Sequence, residues 1–165
     1  MSRKFEKISL KQFIKDTNLT EKEYNEYNIP KRSTKYSAGY DFTTIEEIII
    51  NPNEIKLIPT GIKANMNNDE VLMIYIRSSL GFKYNIRMCN QTGIIDKDYY
   101  NNKDNEGHIF IKIKNEGNKP KTFKKHEKIV QGIFIKYLTT DDEEEIKSVR
   151  EGGIGSTNKE DKHDR

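Results

Sequence analysis

Short runs of β-branched and aromatic residues, separated by turn-forming residues, fill the chain from about residue 37 to residue 138. Such runs are typical of strands, and closely spaced turns are typical of a sandwich or barrel. No helical pattern of convincing length separates the runs, so repeated β-α-β units are disfavoured. The sequence therefore predicts an all-β fold. The turn signals are Pro52-Asn53, Pro59, Asn67-Asn68, Asn101-Asn102 and Gly117-Asn118.

Three of these runs indicate what kind of strand to expect. Residues 71–77 are largely apolar on both faces, which predicts a strand covered on both sides. Ile109, Ile111 and Ile113 alternate with Phe110 and two lysines, as in a half-buried strand. Residues 129–138 are predicted to form the last strand of the series.

The N-terminal segment 9–27 differs because it carries two helix-start signals. Ser9 with Gln12, and Thr20 with Glu23, each fit a capping box, in which a hydroxyl and an amide or carboxylate accept each other's backbone N–H groups. Pro30 then closes the segment, since the residue before a proline is pushed out of the helical region. Two short helices are therefore predicted before the strands.

The strand pattern stops after Leu138, where residues 141–145 form an acidic run. A run of like charges packs poorly by itself and predicts a mobile segment. We therefore expect a β domain at residues 1–138, which includes the helical segment. Residues 139–165 are expected to form a mobile acidic linker and a glycine-rich C-terminal arm.

Composition limits the classes of function. The 165 residues fit one domain, and a hydrophobic content of 33% predicts a thin monomer core, so burial between subunits is an option. A net charge of +3 argues against direct nucleic-acid binding. Cys89 is the only cysteine, no apolar run could span a bilayer, and the charged N-terminus precedes no signal core. A cytoplasmic protein outside the membrane is expected.

Two polar clusters adjoin strand-like runs. Residues 77–81, Arg-Ser-Ser-Leu-Gly, place a guanidinium and two hydroxyls at a strand end, which fits either an anion site or an ordinary polar turn. Asp96 and Asp98 lie two residues apart, so that in an extended segment both side chains leave by the same face. One of them fits a general base or a metal ligand, and both also fit the entry of a hairpin.

The tail at residues 150–157 combines Arg150, three glycines and the hydroxyls of Ser156 and Thr157. Glycine N–H groups and hydroxyls suit phosphate oxygens, so the tail fits a phosphate clamp as well as a flexible linker. It is not a P-loop, because no lysine precedes the hydroxyls. The three histidines lack partners at zinc-ligand spacing, and no built-in metal site is predicted.

The order of these clusters resembles the five motifs of the trimeric dUTP pyrophosphatases, or dUTPases, from about residue 30 to residue 158. The matching segments are residues 37–42, 77–81, 90–99, 128–133 and 150–157. The resemblance implies a jelly-roll-type β-barrel that forms a homotrimer, with active sites shared between subunits. It also implies hydrolysis of dUTP to dUMP and pyrophosphate, which limits uracil in DNA and supplies dUMP for dTMP synthesis.

The resemblance further implies a role for each site residue. Asp96 would activate the water that attacks the α-phosphorus, and Tyr99 would exclude a 2′-hydroxyl. Asp41, paired with Arg77, and Asp98 would support the site. A hairpin at residues 90–99 would read uracil, and Mg2+ would be held by substrate phosphates and water. The other implied substrate contacts are Arg77, Ser78, Ser79, Asn90, Gly93, Ile95, Gln131, Arg150, Ile154, Gly155, Ser156 and Thr157.

The sequence departs from the family pattern at two main places. Ile154 stands where the family has an aromatic residue over uracil, which predicts cover weaker by about 1 kcal/mol. Residues 100–107 form a longer loop than the usual connection. Two alternatives stay open: a dCTP deaminase of the same fold, which Tyr99 and the glycine-rich tail disfavour, and a nucleotide-dependent regulatory protein that binds a partner through this loop and the N-terminal helices.

Overall fold

A computed structural model of the protein describes residues 3–146, 148, 150 and 152–153. Within these residues the strands are β1 (Lys4–Lys7), β2 (Lys31–Arg32), β3 (Tyr40–Thr43), β4 (Ile48–Ile50), β5 (Ile55–Pro59), β6 (Ile62–Asn65), β7 (Glu70–Ile76), β8 (Ile86–Met88), β9 (Gly93–Ile95), β10 (Phe110–Asn115), β11 (Lys121–Phe123) and β12 (Lys128–Lys136). The helices are α1 (Leu10–Thr17), α2 (Glu21–Glu26), α3 (Ser78–Tyr84) and a 3-10 helix (Lys97–Tyr99).

Antiparallel pairing organises the strands, which confirms the all-β prediction. The largest sheet has the order β2-β3-β12-β7-β9, and a second has the order β5-β10-β8. Strands β1 and β6 form one two-stranded sheet, and β4 and β11 form another. The central strand β12 pairs with β3 on one side and β7 on the other. Residues from three strands can therefore converge at one end of this sheet.

Burial along the strands follows the alternation in the sequence, with one exception. In β10, Ile111 and Ile113 are buried and Lys112 is exposed, as predicted for a half-buried strand. In β7 only the face with Leu72 and Ile74 is fully buried, and the opposite face is half-buried. The prediction of cover on both sides of β7 is therefore only partly correct within one chain.

The N-terminal segment packs into the same buried cluster as the strands. Phe13 of α1 is fully buried and stacks on Tyr27 at 5.4 Å between ring centroids. Burial of one such side chain stabilises the fold by about 2 kcal/mol. Both predicted helices form, and Thr20 makes the complete capping box. At Ser9 the box is incomplete, because the Ser9 N–H donates instead to Glu106 at 2.9 Å.

Two local predictions were wrong. Residues 77–81 do not form a simple turn, since Arg77 is the N-cap of α3, a short helix that the sequence pattern did not reveal. Residues 90–99 do not form a hairpin, because β8 pairs with β10 whereas β9 pairs with β7. The segment crosses from one sheet to the other and ends in the 3-10 helix. Helices in the described part of the chain are too short or too polar to cross a membrane.

Candidate active site

A polar pocket opens where β3, β12 and the start of α3 meet. The pocket has a volume of about 360 Å³. Asp41 of β3 lies directly opposite Gln131 of β12, and Gln131 lies opposite Tyr75 of β7, so the pairing register brings these elements together. A Cβ at Gly39 would press against the Gln131 side chain, so glycine leaves room for this side chain to enter. The lining residues are Ser33, Ser37, Gly39, Asp41, Arg77, Ser78, Ser79 and Gln131.

Asp41 is the centre of the charge arrangement in this pocket. Its carboxylate lies 3.4 Å from Arg77 Nε and 2.9 Å from Lys128 Nζ, and it accepts a hydrogen bond from the Ser33 hydroxyl. Partial burial alone would raise the pKa of Asp41, but the bonds from Ser33 and Lys128 outweigh burial and hold the pKa below its ordinary value. Two cations face one carboxylate, so the pocket suits an anion.

Sequence reasoning found five of the pocket residues and missed others. The structure brings Asp41, Arg77, Ser78, Ser79 and Gln131 together as predicted. Ser33 and Lys128, which hold Asp41, received no role from the sequence. Lys128 could have been found from the pairing of β12 with β3, but the sequence does not reveal which strands pair. Ser33 precedes the first motif and carried no signal.

A second group of residues lies at the end of β9. Asp96 is the N-cap of the 3-10 helix, and its side chain is 48% exposed. Tyr99 closes this helix and is buried. Of the predicted base-reading residues, Asn90 is exposed at the turn before β9, while Gly93 is buried opposite Ile74 of β7. Ile95 is half-buried and precedes Asp96 directly.

The two groups lie at opposite ends of β7. Ile95, next to Asp96, pairs with Leu72, whereas Arg77 follows the last residue of β7. The five residue steps from Leu72 to Arg77 span about 17 Å at roughly 3.3 Å per residue in a strand. Asp96 and Tyr99 are also not among the residues that line the pocket. One chain therefore presents two separated half-sites, an anion pocket and a carboxylate–tyrosine group.

The described part of the C-terminal arm lies on the second half-site. Arg150 Nη2 donates to Asp96 Oδ2 at 3.0 Å, and the Arg150 N–H donates to Asp98 Oδ2 at 3.0 Å. The guanidinium also lies 5.7 Å from the centre of the Tyr99 ring. Gly153 donates its N–H to Asp104 in the loop of residues 100–107. The predicted contacts Ile154, Gly155, Ser156 and Thr157 lie outside the described residues.

Comparison with known proteins identifies the family. A family model described as dUTPase matches residues 25–158. This chain belongs to the dUTPase family. The deoxyuridine 5′-triphosphate nucleotidohydrolase of Lactococcus lactis subsp. lactis (strain IL1403) is 51% identical over 131 residues, which are 79% of this chain and 87% of that protein. The corresponding protein of Nautilia profundicola is 36% identical over 135 residues, 79% of this chain and 91% of that protein.

Solved dUTPase structures share the fold. The crystal structure of the dUTPase from Streptococcus mutans has a TM-score of 0.68 and 39% identity, and the match covers 84% of this chain and 98% of that chain. A mutant dUTPase from phage phi11 of S. aureus, which coordinates a structural Mg(II) ion, has a TM-score of 0.64, 18% identity and coverage of 90% and 98%. The predicted jelly-roll-type class is therefore confirmed.

Proposed function

We propose that this dUTPase hydrolyses dUTP to dUMP and pyrophosphate with a water molecule that Asp96 activates. The observation that carries the proposal is an accessible carboxylate beside a rigidly held tyrosine. Asp96 is about half exposed, and Tyr99 lies three residues further along, at the end of the same 3-10 helix. A carboxylate in this position can orient water and accept its proton. The Tyr99 ring would lie against the deoxyribose and leave no room for a 2′-hydroxyl.

The anion pocket would hold the phosphate chain. Arg77, Ser78, Ser79 and Gln131 offer a guanidinium, two hydroxyls and an amide, which can donate to phosphate oxygens. Asp41 keeps Arg77 in place and, already paired with two cations, supports the site without acting as a base. Phosphoryl transfer depends mainly on such positioning and on neutralising spread-out negative charge.

Separation of the half-sites supports a homotrimer with shared active sites. Asp96 must lie within a few ångströms of the α-phosphorus, whereas about 17 Å of strand separates the two half-sites within one chain. A complete site would therefore combine Asp96 of one subunit with Arg77 of another. Uracil would be held by backbone groups of the segment from Asn90 through Gly93 to Ile95.

The C-terminal arm would close over the nucleotide. Arg150 pairs with Asp96 at 3.0 Å and with Asp98 at 3.4 Å, and the guanidinium would turn from these carboxylates to the phosphates when substrate binds. Ile154, Gly155, Ser156 and Thr157 would complete the cover. We also propose that residues 139–165 form a mobile linker and arm, separate from the β domain of residues 1–138.

Mg2+ is proposed as the cofactor, held by the substrate phosphates and water. The pocket fits this arrangement because its one carboxylate, Asp41, is already paired with Arg77 and Lys128. Among the described residues, moreover, no three His, Cys, Asp or Glu side chains form a metal-binding group. Bound Mg2+ would supply positive charge to the phosphate oxygens. We place the reaction in the cytoplasm, where the single Cys89 suits reducing conditions.

Substrate choice tests the reaction. Pyrophosphate release is measured with dUTP, dCTP, dTTP and UTP at equal concentrations with Mg2+, and we expect release from dUTP to exceed the others by at least about a hundredfold. Ammonia release from dCTP would indicate a deaminase and contradict the proposal. Equal release from dUTP and UTP would contradict the role of Tyr99.

Subunit mixing tests the shared site. Asp96→Asn and Arg77→Ala subunits, each poorly active alone, are co-expressed so that mixed trimers assemble. A shared site predicts recovered activity, since some sites combine an intact Asp96 with an intact Arg77. A site contained within one chain predicts no recovery. Sedimentation or light scattering checks that the chains form trimers.

A further inference from the structure

The loop of residues 100–107 is organised around Tyr99 by two asparagines. Asn102 Nδ2 donates to the Tyr99 carbonyl oxygen at 2.8 Å and to Asn105 Oδ1 at 2.8 Å. Asn105 Nδ2 in turn donates to the Tyr99 hydroxyl at 2.9 Å. The three residues thus form a closed hydrogen-bonded ring that joins both ends of the tyrosine.

The Tyr99 hydroxyl has a second partner that fixes its direction. It donates to the His108 carbonyl oxygen at 2.8 Å, while it accepts from Asn105. Tyr99 is only 5% exposed, so water cannot readily replace these partners. Moving the ring would therefore leave buried polar groups without hydrogen bonds.

The backbone of the loop is held as firmly as its side chains. Asn102 Oδ1 accepts the N–H groups of Asp104 and Asn105 at 3.0 and 3.2 Å. Gly107 has a φ of +83°, and a Cβ there would lie 2.7 Å from the Tyr99 carbonyl oxygen. Only glycine fits this close approach without strain. These contacts hold the loop backbone close to Tyr99.

Both ends of helix α1 contact the C-terminal end of the loop. Ser9, at the start of the helix, donates its hydroxyl to Glu106 at 2.6 Å, and Asp16 near the end lies 2.6 Å from His108 Nδ1. His108 Nε2 accepts the N–H of Gly61 at 2.8 Å, so in the neutral imidazole Nδ1 carries the proton and donates to Asp16. These contacts anchor the loop to the N-terminal segment.

We propose that Asn105 is a positioning residue that sets the discrimination between dUTP and UTP through Tyr99. This inference rests on the proposed contact of Tyr99 with the deoxyribose. Asn105 would act through Tyr99, because its side chain donates to the Tyr99 hydroxyl. A small shift of the ring would open space for a 2′-hydroxyl, and displacements of about 1 Å can cost two orders of magnitude in rate.

The test compares kcat/KM for dUTP and UTP in the full-length protein. Asn105→Ala should lower the ratio of kcat/KM for dUTP to kcat/KM for UTP about tenfold, mainly because kcat/KM for UTP should rise. Tyr99→Phe keeps the ring but removes the bond from Asn105 together with the bond to the His108 carbonyl oxygen, so it should lower the ratio at least as much. The double variant should lower the ratio by less than the product of the two single effects, because both single variants remove the shared bond between Asn105 and Tyr99. Lys103→Ala, exposed in the same loop, should leave the ratio unchanged.

The outcomes separate positioning from simple stabilisation. Asn105→Ala with a lower melting temperature and equal losses for both nucleotides would overturn the inference, as would additive effects in the double variant. If Asn105→Ala does not fold, the ratio in Tyr99→Phe decides, and an unchanged ratio there overturns it. A parent protein that does not prefer dUTP over UTP would overturn the proposed function together with this inference. A parent that prefers dUTP, with the ratio lost in Tyr99→Ala and retained in Asn105→Ala, would overturn the inference alone.

Discussion

The two half-sites of this dUTPase are built in different ways. The anion pocket lies at the ends of paired strands, and Asp41 joins Arg77 and Lys128 in a compensated group of charges. The carboxylate–tyrosine group lies on a 3-10 helix of three residues, and its catalytic candidate Asp96 is half exposed. Strand pairing supplies the rigidity in the first half-site. In the second, a loop packed behind Tyr99 supplies it.

This difference separates binding from chemistry. A carboxylate held by two cations is a poor base, whereas an accessible carboxylate can exchange its partner for water or substrate. Asp41 therefore suits a structural role, and Asp96 suits proton transfer. Damage to the anion pocket should therefore weaken binding, and damage to Asp96 should slow the chemical step.

The largest expected effect comes from Asp96→Asn. We expect kcat for pyrophosphate release to fall about a hundredfold to ten-thousandfold, because a general base contributes two to four orders of magnitude. The dissociation constant of a non-hydrolysable dUTP analogue, measured by calorimetry, should change little. Asp98→Asn is the matched control and should lose far less activity. Full turnover in Asp96→Asn would remove Asp96 from its role.

Arg77→Ala should weaken binding instead. Loss of a charged donor to phosphate costs about 1.5–3 kcal/mol, which corresponds to roughly a 10- to 100-fold loss in kcat/KM for dUTP. Asp41 also loses a partner, so the free energy of unfolding in urea should fall. Arg87→Ala, which breaks the exposed Arg87–Glu116 pair in the other sheet, is the control and should leave kcat/KM intact. Equal effects of both variants would contradict the pocket assignment.

Asp104→Ala tests the contact between the C-terminal arm and the loop of residues 100–107. The Asp104 carboxylate accepts the Gly153 N–H at 2.7 Å, and loss of one such bond at an exposed loop costs about 1 kcal/mol. We expect kcat/KM to fall about fivefold and the tail to become more sensitive to limited proteolysis. Lys103→Ala should change neither quantity. If the arm of Asp104→Ala resists proteolysis as well as the arm of the parent protein, other contacts must hold it.

The smallest expected effect is a pH dependence of stability behind Tyr99. Burial lowers the pKa of His108 below its ordinary value of 6.5, although the bond to Asp16 opposes the shift. The unfolded chain therefore binds a proton more readily than the folded chain. The free energy of unfolding should fall as the pH drops through about 6.5, with a slope of at most about 1.4 kcal/mol per pH unit for one proton.

His108→Gln should reduce this slope, measured by urea unfolding between pH 8 and pH 5. The variant should also be less stable at neutral pH, because the bonds to Gly61 and Asp16 are altered. A slope identical to that of the parent would show that other groups govern the acid sensitivity.

Local patterns were sufficient for much of the fold and for part of the site. The alternation of isoleucines placed Ile111 and Ile113 in the core, and the pair Thr20 and Glu23 formed the predicted capping box. Motif order also selected Asp41, Arg77 and Gln131, which the structure brings into one pocket. These features depend on neighbouring residues or on the family pattern, so a single sequence carries them.

Other features were not predictable because they depend on distant partners. Ser9 gives its backbone N–H to Glu106 rather than to Gln12, and residues 90–99 cross between sheets instead of forming a hairpin. The support of Tyr99 joins residues from the N-terminal helix, the strand connection at Gly61 and the loop. No periodicity in the sequence marks such contacts.

The sequence by itself determined that the chain forms strands with short N-terminal helices, and it predicted the motifs that we propose carry the chemistry. Tertiary structure alone decided that these motifs divide into two half-sites at opposite ends of β7, and that two asparagines hold Tyr99. The physical reason is that secondary structure reflects short-range periodicity and capping, whereas a site depends on strand register. Register places residues far apart in sequence within hydrogen-bonding distance.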